Sequence, residues 1–207
     1  MNVRPEDLPY REFYRILIHS VAPRPIAWVS TLSKEGQPNL APFSFFNAVS
    51  GKPPMLAFSP GLRQLKTGPT PKDTLRNVRD TGEFVVNVVT WDLAEQMNLT
   101  SGEYGPSINE FEVAKVTPRA SQLVKPPQVA ESPVNFECKL HQVVDLSTEP
   151  MGSSLVIGRV VSVSIVDSVL KDGRLDGEAL DLIGRMGGMG YTRTRERFEM
   201  ARPKVES

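Results

Sequence analysis

Three short strand-like runs within residues 24–59 constrain the fold of this chain more than any other feature. β-branched and aromatic residues fill the runs, and turn-forming residues separate them. The polar connection at 33–38 contains Gly36, which can adopt the positive φ that a hairpin loop needs, and Gly-Lys-Pro-Pro at 51–54 leads to the third run. The stretch therefore predicts three short strands joined by tight turns, at residues 26–32, 39–47 and 55–59.

The middle run differs from a pure core strand because small polar residues interrupt its aromatic residues. It reads Phe43, Ser44, Phe45, Phe46, Asn47. A strand that only fills a core would carry valine, isoleucine and leucine at these positions. Hydroxyl and amide groups beside flat apolar rings are what a strand needs to line a pocket for a planar ligand with polar edges. We therefore expect this run to line a binding pocket.

Length, charge and the N-terminal sequence narrow the class of protein. The 207 residues are enough for one domain, residues 1–207, with a well-buried core. The 24 basic and 24 acidic residues give a net charge of zero, which does not favour nucleic acid as a partner. The first 15 residues lack the apolar region of a secretory signal, and no apolar stretch approaches the length of about 20 residues that spans a bilayer. We expect a soluble, cytoplasmic protein without a membrane partner.

Cysteine and histidine are too few for disulfide or metal chemistry. Cys138 is the only cysteine, so it forms no intramolecular disulfide and no thiolate metal site. His19 and His141 are far apart in sequence and belong to no metal-binding motif. Alternation along the predicted strand places Cys138 with the core residues and His141 on the opposite face. The sequence predicts no metal site.

The segment before the three runs predicts a short amphipathic helix. Residues 8–21 place Tyr10, Phe13, Leu17 and Val21 on one helical face, which indicates a helix lying on the domain.

Residues Lys72, Asp73 and Thr74 follow an irregular loop at 60–71 and precede a predicted helix at 75–80 that stops at Gly82. With Asp73 or Thr74 as the N-cap, the Lys72 amino group and free backbone N–H groups would meet at the helix N-terminus. Such an end is a natural anion site. An ordinary capped surface helix produces the same pattern and stays open as the alternative.

The rest of the chain predicts mostly strands. Residues 83–90 are apolar on both faces and indicate a central strand. With about seven strands, few helices and no GxGxxG fingerprint after a strand, the chain is typical of an antiparallel barrel. The other predicted segments are a helix at 92–100, a strand at 113–116, a proline-rich extended arm at 118–133, long strands at 134–146 and 154–167, a short element at 180–185 and a loose charged tail after about 197.

Three motifs together resemble the flavin reductase-like, FMN-binding split-barrel family, and within it the flavoredoxin-type branch. They are RPIAWVSTLSKEGQPNLAPFSFFNAVSGKPPMLAFS, KDTLRNVRDTGEFVVN and RMGGMGY, in this order. The resemblance covers roughly residues 10–195. It implies a mainly β fold, an antiparallel Greek-key split β-barrel with a few short peripheral helices, a homodimer, and FMN held non-covalently near the subunit interface.

The resemblance also implies which residues bind FMN. The strand at 27–31 and the run at 43–47 would flank the isoalloxazine ring, with Ser44 and Asn47 at its polar edge. The implied cofactor-binding residues are Arg24, Trp28, Ser30, Thr31, Phe43, Ser44, Phe45, Phe46, Asn47, Ser59, Lys72, Asp73, Thr74, Arg185, Met186, Gly187 and Tyr191. Ser59, Lys72, Asp73 and Thr74 would lie by the ribityl chain and phosphate. Arg24 and Trp28 would form walls of the site. The C-terminal residues of the set would close it: Arg185, Met186, Gly187 and Tyr191. Trp28 and Phe46 could equally be core residues, and Tyr191 a packed C-terminal anchor.

The function implied by the resemblance is an NAD(P)H-dependent flavin oxidoreductase. FMN would carry the chemistry, so no catalytic side chain is expected, and the protein would supply position and polarity. An FMN-binding electron carrier without NAD(P)H activity is the alternative, and an oxidase of a small amine is a weaker one. The choice between NADH and NADPH, the acceptor, and a monooxygenase or other redox partner stay open at this point.

Overall fold

The computed structural model describes residues 1–205; the last two residues of the predicted tail, 206–207, lie outside the described residues. The helices are α1 (Tyr10–Ser20), α2 (Asp73–Thr81), α3 (Ala94–Leu99), α4 (Glu110–Ala114) and α5 (Gly177–Leu180). The strands are β1 (Ala27–Leu32), β2 (Pro38–Phe43), β3 (Phe46–Gly51), β4 (Pro54–Phe58), β5 (Arg63–Leu65), β6 (Gly68–Thr70), β7 (Glu83–Asn87), β8 (Pro118–Arg119), β9 (Gln128–Val129), β10 (Val134–Asp145), β11 (Ser154–Ile165), β12 (Leu170–Lys171), β13 (Arg174–Leu175), β14 (Ile183–Arg185) and β15 (Tyr191–Arg193).

Seven of these strands form the main sheet, and its neighbouring strands are antiparallel. Their spatial order is β2-β1-β7-β10-β11-β4-β3. β7 lies between β1 and β10 and is buried along most of its length. The central position predicted for this strand from its two apolar faces is therefore confirmed.

The connection between β2 and β3 shows that the sheet is rolled up. These strands lie at opposite edges of the sheet, although only Ser44 and Phe45 separate them along the chain. A flat sheet of seven strands would hold its edges about 29 Å apart. The three chain steps from Phe43 to Phe46 span about 10 Å at most. The two edges must therefore meet near Ser44, and the mainly β, split-barrel fold with short peripheral helices is confirmed.

Both faces of β1 are buried, and they belong to different cores. Ala27 and Val29 pack inside the barrel, where Leu75 and Val78 of α2 close one end. Trp28 points to the opposite face because side chains alternate along a strand. There it packs in a second core with residues of α3 and α4, among them Met97, Phe111 and Ala114.

The run at 39–47, predicted as one strand, is two strands divided by a bend at Ser44 and Phe45. The chain must leave one edge of the rolled sheet and join the other at this point, and a continuous strand could not do so. The polar interruption seen in the sequence therefore marks the seam of the barrel.

Three other local predictions were wrong. The loop at 60–71 contains the β5–β6 hairpin, with Gly68 at φ +117° in its turn. The strand expected at 113–116 is the end of α4 and the turn that follows it. α2 begins at Asp73 with Lys72 at the N-cap position, and no side chain caps it. Asp73 is already the first helical residue, and its carboxylate binds Arg63 and Arg76.

The N-terminal helix exists, but its predicted apolar face does not lie on the barrel. Tyr10, Leu17 and Val21 are 49%, 44% and 60% exposed. Ile18 is the residue of α1 that is buried. The helix therefore packs through a face one position away from the one that the spacing indicated.

The proline-rich segment at 117–133, called the arm below, is held on the sheet by buried polar side chains. Glu137 is fully buried, and its carboxylate accepts hydrogen bonds from the backbone N–H groups of Gln122 (2.8 Å) and Leu123 (2.6 Å). Gln128 of the arm donates to the same carboxylate at 2.8 Å and accepts from Arg119 at 3.0 Å and 2.6 Å. The Gln128 amide thus connects the Arg119 guanidinium to the Glu137 carboxylate.

A second part of the same network lies on the strands beneath the arm. Asn135 accepts a hydrogen bond from Arg119 at 2.8 Å and donates to Asn87 at 2.8 Å. Asn87 donates to the Trp28 carbonyl at 2.9 Å and accepts from the Val129 N–H at 2.8 Å. These hydrogen-bonded side chains are called the arm network from here on: Asn87, Arg119, Gln128, Asn135 and Glu137.

Among residues 1–205, no helix has the length and apolar character to cross a membrane. Within the same range, no three or more His, Cys, Asp or Glu side chains cluster as metal ligands would.

Candidate functional site

A cleft of about 580 Å³ opens beside the seam of the barrel. α1, the end of β2, the start of α2, α3 and the β14–β15 hairpin surround it. Its volume lies within the range of small-molecule sites. The lining residues are Tyr14, Ile18, Arg24, Ile26, Pro42, Ser44, Lys72, Met97, Asn98, Ser101, Arg185, Gly188 and Tyr191.

The lining of the cleft is positively charged. Arg24, Lys72 and Arg185 contribute three cations, and no described residue of the lining is a carboxylate. Elsewhere several arginines are paired with carboxylates, as Arg193 and Arg195 are with Asp181. That pairing holds the pKa of the Asp181 carboxyl well below its usual range, chiefly through the hydrogen bond from Arg193. The cleft therefore has a charge that an anionic ligand could neutralise.

Arg24 joins α1 to the far side of the cleft. Its guanidinium donates to the carbonyls of Ile18 (2.7 Å) and Val21 (2.6 Å) at the end of α1, and to the Met186 carbonyl at 3.0 Å. The side chain is 6% exposed, and its Nε–H has no partner among the described residues. Burial lowers the pKa of the Arg24 guanidinium, and the neighbouring Arg185 lowers it further.

The β14–β15 hairpin forms the opposite wall. The Arg185 guanidinium lies over the Tyr191 ring at 4.4 Å and donates to the Gly188 carbonyl at 2.5 Å. The Tyr191 hydroxyl reaches the Asn98 side chain of α3 at 3.4 Å. A Cβ on Gly187 would lie 2.2 Å from the His19 ring, so only glycine lets the hairpin approach α1 this closely.

The start of α2 lies between this cleft and a smaller pocket. Lys72 lines both. Asp73, Thr74 and Phe43 line the smaller pocket together with Glu110. Burial raises the pKa of the Glu110 carboxyl, and the nearby Asp73 raises it as well. An anion at this helix end would meet Lys72 and the first N–H groups of α2.

The structure brings five of the seventeen predicted site residues to the cleft: Arg24, Ser44, Lys72, Arg185 and Tyr191. Phe45 lies next to it, 41% exposed, and Arg24 lies 5.8 Å from its ring centroid. The backbone of Met186 binds Arg24, and Gly187 packs against α1.

Trp28, Ser30 and Thr31 do not line the cleft because they have no exposed surface. The Trp28 indole donates to Thr100 at 2.9 Å in the second core, so the core interpretation of this residue is the one that the structure supports. Ser30 donates to the Pro127 carbonyl of the arm. Thr31 accepts from Asn77 of α2 at 3.0 Å. Neither face of β1 is free to contact a ligand.

Four other predicted residues lie away from the cleft lining. Asn47 is exposed on β3 and accepts a hydrogen bond from the next N–H of its own chain. Phe46 packs against the barrel core. Ser59 donates to the Ser154 carbonyl at 3.0 Å. Thr74 is 1% exposed and accepts from Asn39 at 2.9 Å.

Sequence reasoning missed Tyr14, Met97, Asn98 and Ser101, which line the cleft. Tyr14 follows Tyr10 by one helical turn, and this spacing is the signal that could have placed it on the exposed side of α1. Asn98 and Ser101 belong to the predicted helix at 92–100 and the loop behind it. Polar residues on a short surface helix give no signal of a site until the position of that helix is known.

Comparisons with known proteins show the family and the fold of this chain. The family model described as "Flavin reductase like domain" matches residues 19–185. The uncharacterized protein BH2278 of Halalkalibacterium halodurans is 40% identical over 208 residues, 99% of this chain and 98% of that protein. The crystal structure of nitrilotriacetate monooxygenase component B from Bacillus cereus is similar with a TM-score of 0.90 and 33% identity, covering 97% of this chain and 98% of that one. The 2-nitrobenzoate 2-nitroreductase NbaA of Pseudomonas fluorescens has a TM-score of 0.87 and 29% identity, covering 100% and 98%.

Proposed function

The chain belongs to the flavin reductase-like family, and on this basis we propose that it binds FMN non-covalently and reduces it with NAD(P)H. The observation that carries the proposal is the cleft with three cations and no carboxylate among its described lining residues. A flavin phosphate and the phosphates of a pyridine nucleotide are anions that such a cleft favours.

The donor groups of the cleft fit FMN. Lys72, Ser101 and the N-terminus of α2 would hold the phosphate, and Ser44 and Asn98 would bind polar atoms of the ring. The buried Nε–H of Arg24 has no partner among the described residues, so this wall keeps an unused donor. When bound, FMN supplies the acceptance of a hydride from the nicotinamide, chemistry that no side chain provides.

The residues around the cleft would orient the two cofactors and exclude water. The hydrogen bonds of Arg24 hold the end of α1 and the β14–β15 hairpin in fixed positions. No carboxylate and no histidine is among the described lining residues, so we expect no such group of the lining to act as a general acid or base. Catalysis would then depend on position and polarity.

A homodimer and a redox partner are part of the proposal. The exposed apolar residues Leu17 on α1, Val21 directly after α1, and Val49 on the edge strand β3 support a subunit contact. The similarity to a monooxygenase component B supports delivery of reduced flavin to a partner monooxygenase. We also propose a cytoplasmic location, since NAD(P)H is generated there.

The test is the visible absorption spectrum of the purified protein loaded with FMN, recorded anaerobically before and after addition of NADH and then NADPH. Bleaching of the flavin bands by either nucleotide is the expected result and identifies the donor. Bands that remain with both nucleotides but bleach with dithionite would contradict the reductase and leave an FMN-binding electron carrier. Failure to bind added FMN would contradict flavin binding itself.

A further inference from the structure

Three aromatic rings form a row beside the cleft, and the middle ring, Tyr14, is part of the cleft lining. The Tyr10 and Tyr14 rings are stacked with their centroids 5.9 Å apart, and the Phe45 centroid lies 6.4 Å from that of Tyr14. Tyr10 and Tyr14 come from α1, whereas Phe45 comes from the seam between β2 and β3. These three residues are called the aromatic row below.

The aromatic row is not part of a core. Tyr10 is 49% exposed and Phe45 is 41% exposed. Among residues 1–205, neither the Tyr10 nor the Tyr14 hydroxyl has a hydrogen-bond partner in the structure. Aromatic rings that remain open to solvent beside a cleft leave apolar faces free for a ligand to cover.

Arg24 holds the row in place. Its guanidinium binds the last carbonyls of α1 and lies 5.8 Å from the Phe45 centroid. The helix that carries both tyrosines is thereby fixed against the seam residue Phe45. A site that is rigid before binding loses less entropy when a ligand orders on it.

The cleft adjoining the row determines the charge of the ligand. Tyr14 belongs to both the row and the cleft lining, and Arg24, which contacts Phe45 of the row, lines the cleft as well. The lining also contains Lys72 and Arg185 but no described carboxylate. A ligand stacked on the row therefore extends toward cations. From this arrangement we infer that the aromatic row is a stacking site for a planar aromatic ligand that carries a negative charge. The inference rests on the proposed function, because this ligand is taken to be the substrate that accepts electrons from the FMN that NAD(P)H has reduced.

Three small probe molecules distinguish stacking on the aromatic row from attraction to the cations of the cleft. Benzoate is planar and anionic, benzamide is planar and neutral, and cyclohexanecarboxylate is anionic without a flat ring. Binding is measured by NMR line broadening of each probe with the FMN-loaded protein and with the protein without FMN. We expect benzoate to bind several-fold more tightly than either of the other two.

Substitution of the row tests its identity. Tyr14→Leu should weaken benzoate binding by about threefold to tenfold, the range expected for one aromatic contact, while cyclohexanecarboxylate binding changes little. Arg185→Gln should remove most of the preference for benzoate over benzamide. Phe198→Leu is the matched control, since Phe198 is 83% exposed in the C-terminal segment, and this variant should bind benzoate like the original protein.

Several results would overturn the inference. One is equal binding of benzoate and cyclohexanecarboxylate, and another is unchanged benzoate binding in Tyr14→Leu. A third is a Tyr10→Leu variant that changes the sedimentation coefficient without changing benzoate binding, because the row would then be a contact between two copies of the chain. The probes are also titrated without FMN, so failure of flavin binding and failure of the stacking site give different results.

Discussion

The arm network and the cleft contain similar polar groups, but those of the arm network have hydrogen-bond partners within the protein, whereas the cleft has charged groups without a counter-charge. In the arm network, Glu137 is fully buried and receives three hydrogen bonds, and Arg119 makes three to amide oxygens. In the cleft, Lys72 and Arg185 have no carboxylate partner among the described residues, and Arg24 keeps a buried N–H without an acceptor.

This difference in hydrogen-bond and charge partners indicates that the arm network stabilises the fold and that the cleft binds a ligand. A buried polar group with all its partners fixes the chain in one conformation, and loss of one partner leaves the others unsatisfied. A set of cations without counter-charges adds little to folding and is available to a ligand. We therefore expect substitutions in the arm network to change stability, and substitutions in the cleft to change binding.

The largest effect should come from Glu137→Ala. The N–H groups of Gln122 and Leu123 and the amide of Gln128 would lose their acceptor in a buried place. We expect the free energy of unfolding to fall by about 3 kcal/mol or more, measured by urea denaturation. Glu103→Ala, at an exposed position, is the control and should be nearly neutral. A small loss in Glu137→Ala would contradict the structural role of the network.

The corresponding change in the cleft is Lys72→Glu. Repulsion of the phosphate should weaken FMN binding by about 1–3 kcal/mol, which is roughly a fivefold to 150-fold rise in Kd. Isothermal titration with FMN measures this effect, and urea denaturation of the same variant should show little loss of stability. Lys66→Glu, in the exposed turn between β5 and β6, is the matched control. An equal loss of affinity in both variants would mean that the phosphate lies elsewhere.

A matched pair of arginines sharpens the comparison. Arg119→Met should lower the free energy of unfolding by about 1–3 kcal/mol, because Gln128 and Asn135 lose a charged donor. Arg185→Met should lower it by less than about 1 kcal/mol, since it loses one backbone hydrogen bond and the contact with Tyr191. Thermal and urea denaturation of both variants measure the two losses in the free energy of unfolding. If the two arginines contributed equally to stability, the distinction between the regions would fail.

The smallest expected effect is on the pH dependence of stability and comes from Glu110. This carboxyl is buried like Glu137 of the arm network, but it lines the pocket next to the cleft. It is 7% exposed and accepts one side-chain hydrogen bond, from the Leu40 N–H at 3.2 Å. Burial raises the pKa of its carboxyl above the ordinary value of 4.5. The protonated form is therefore favoured in the folded state. Its stabilising contribution is complete below the ordinary pKa and is lost as the pH rises through the raised folded pKa.

Glu110→Gln removes this titration and keeps an acceptor for Leu40. The difference in unfolding free energy, variant minus original, should increase from pH 4 to pH 8, as urea denaturation at several pH values would show. A difference that does not depend on pH would contradict the raised pKa.

Local patterns predicted much of the barrel. Alternation identified both long strands, β10 and β11, to within two residues at each end, and the apolar run at 83–90 correctly indicated a central strand. Turn residues marked the ends of β1 and β4. Glycine at position 82 ends α2 at a positive φ of 71°, as its position in the sequence indicated.

The site was predicted less completely because a one-dimensional pattern does not say which face of an element is covered. Ser30 and Thr31 have the hydroxyl groups of a binding strand, yet the arm and α2 cover them on opposite sides. Tyr14 lies at the cleft because α1 packs through Ile18, whereas the apolar spacing of the helix indicated a different packed face.

The sequence alone determined β1, β4, β7, β10 and β11 of the main sheet, the start of α2 near Lys72 and the family, since these depend on local propensity and on motifs in a fixed order. Tertiary structure decided that Ser44 and Phe45 lie at the seam, that Trp28 belongs to a core, and that Arg24 connects α1 to the β14–β15 hairpin. These outcomes depend on contacts between segments as far as 162 residues apart, such as that of Arg24 with Met186. Rolling of the sheet brings such segments together, and no local pattern records it.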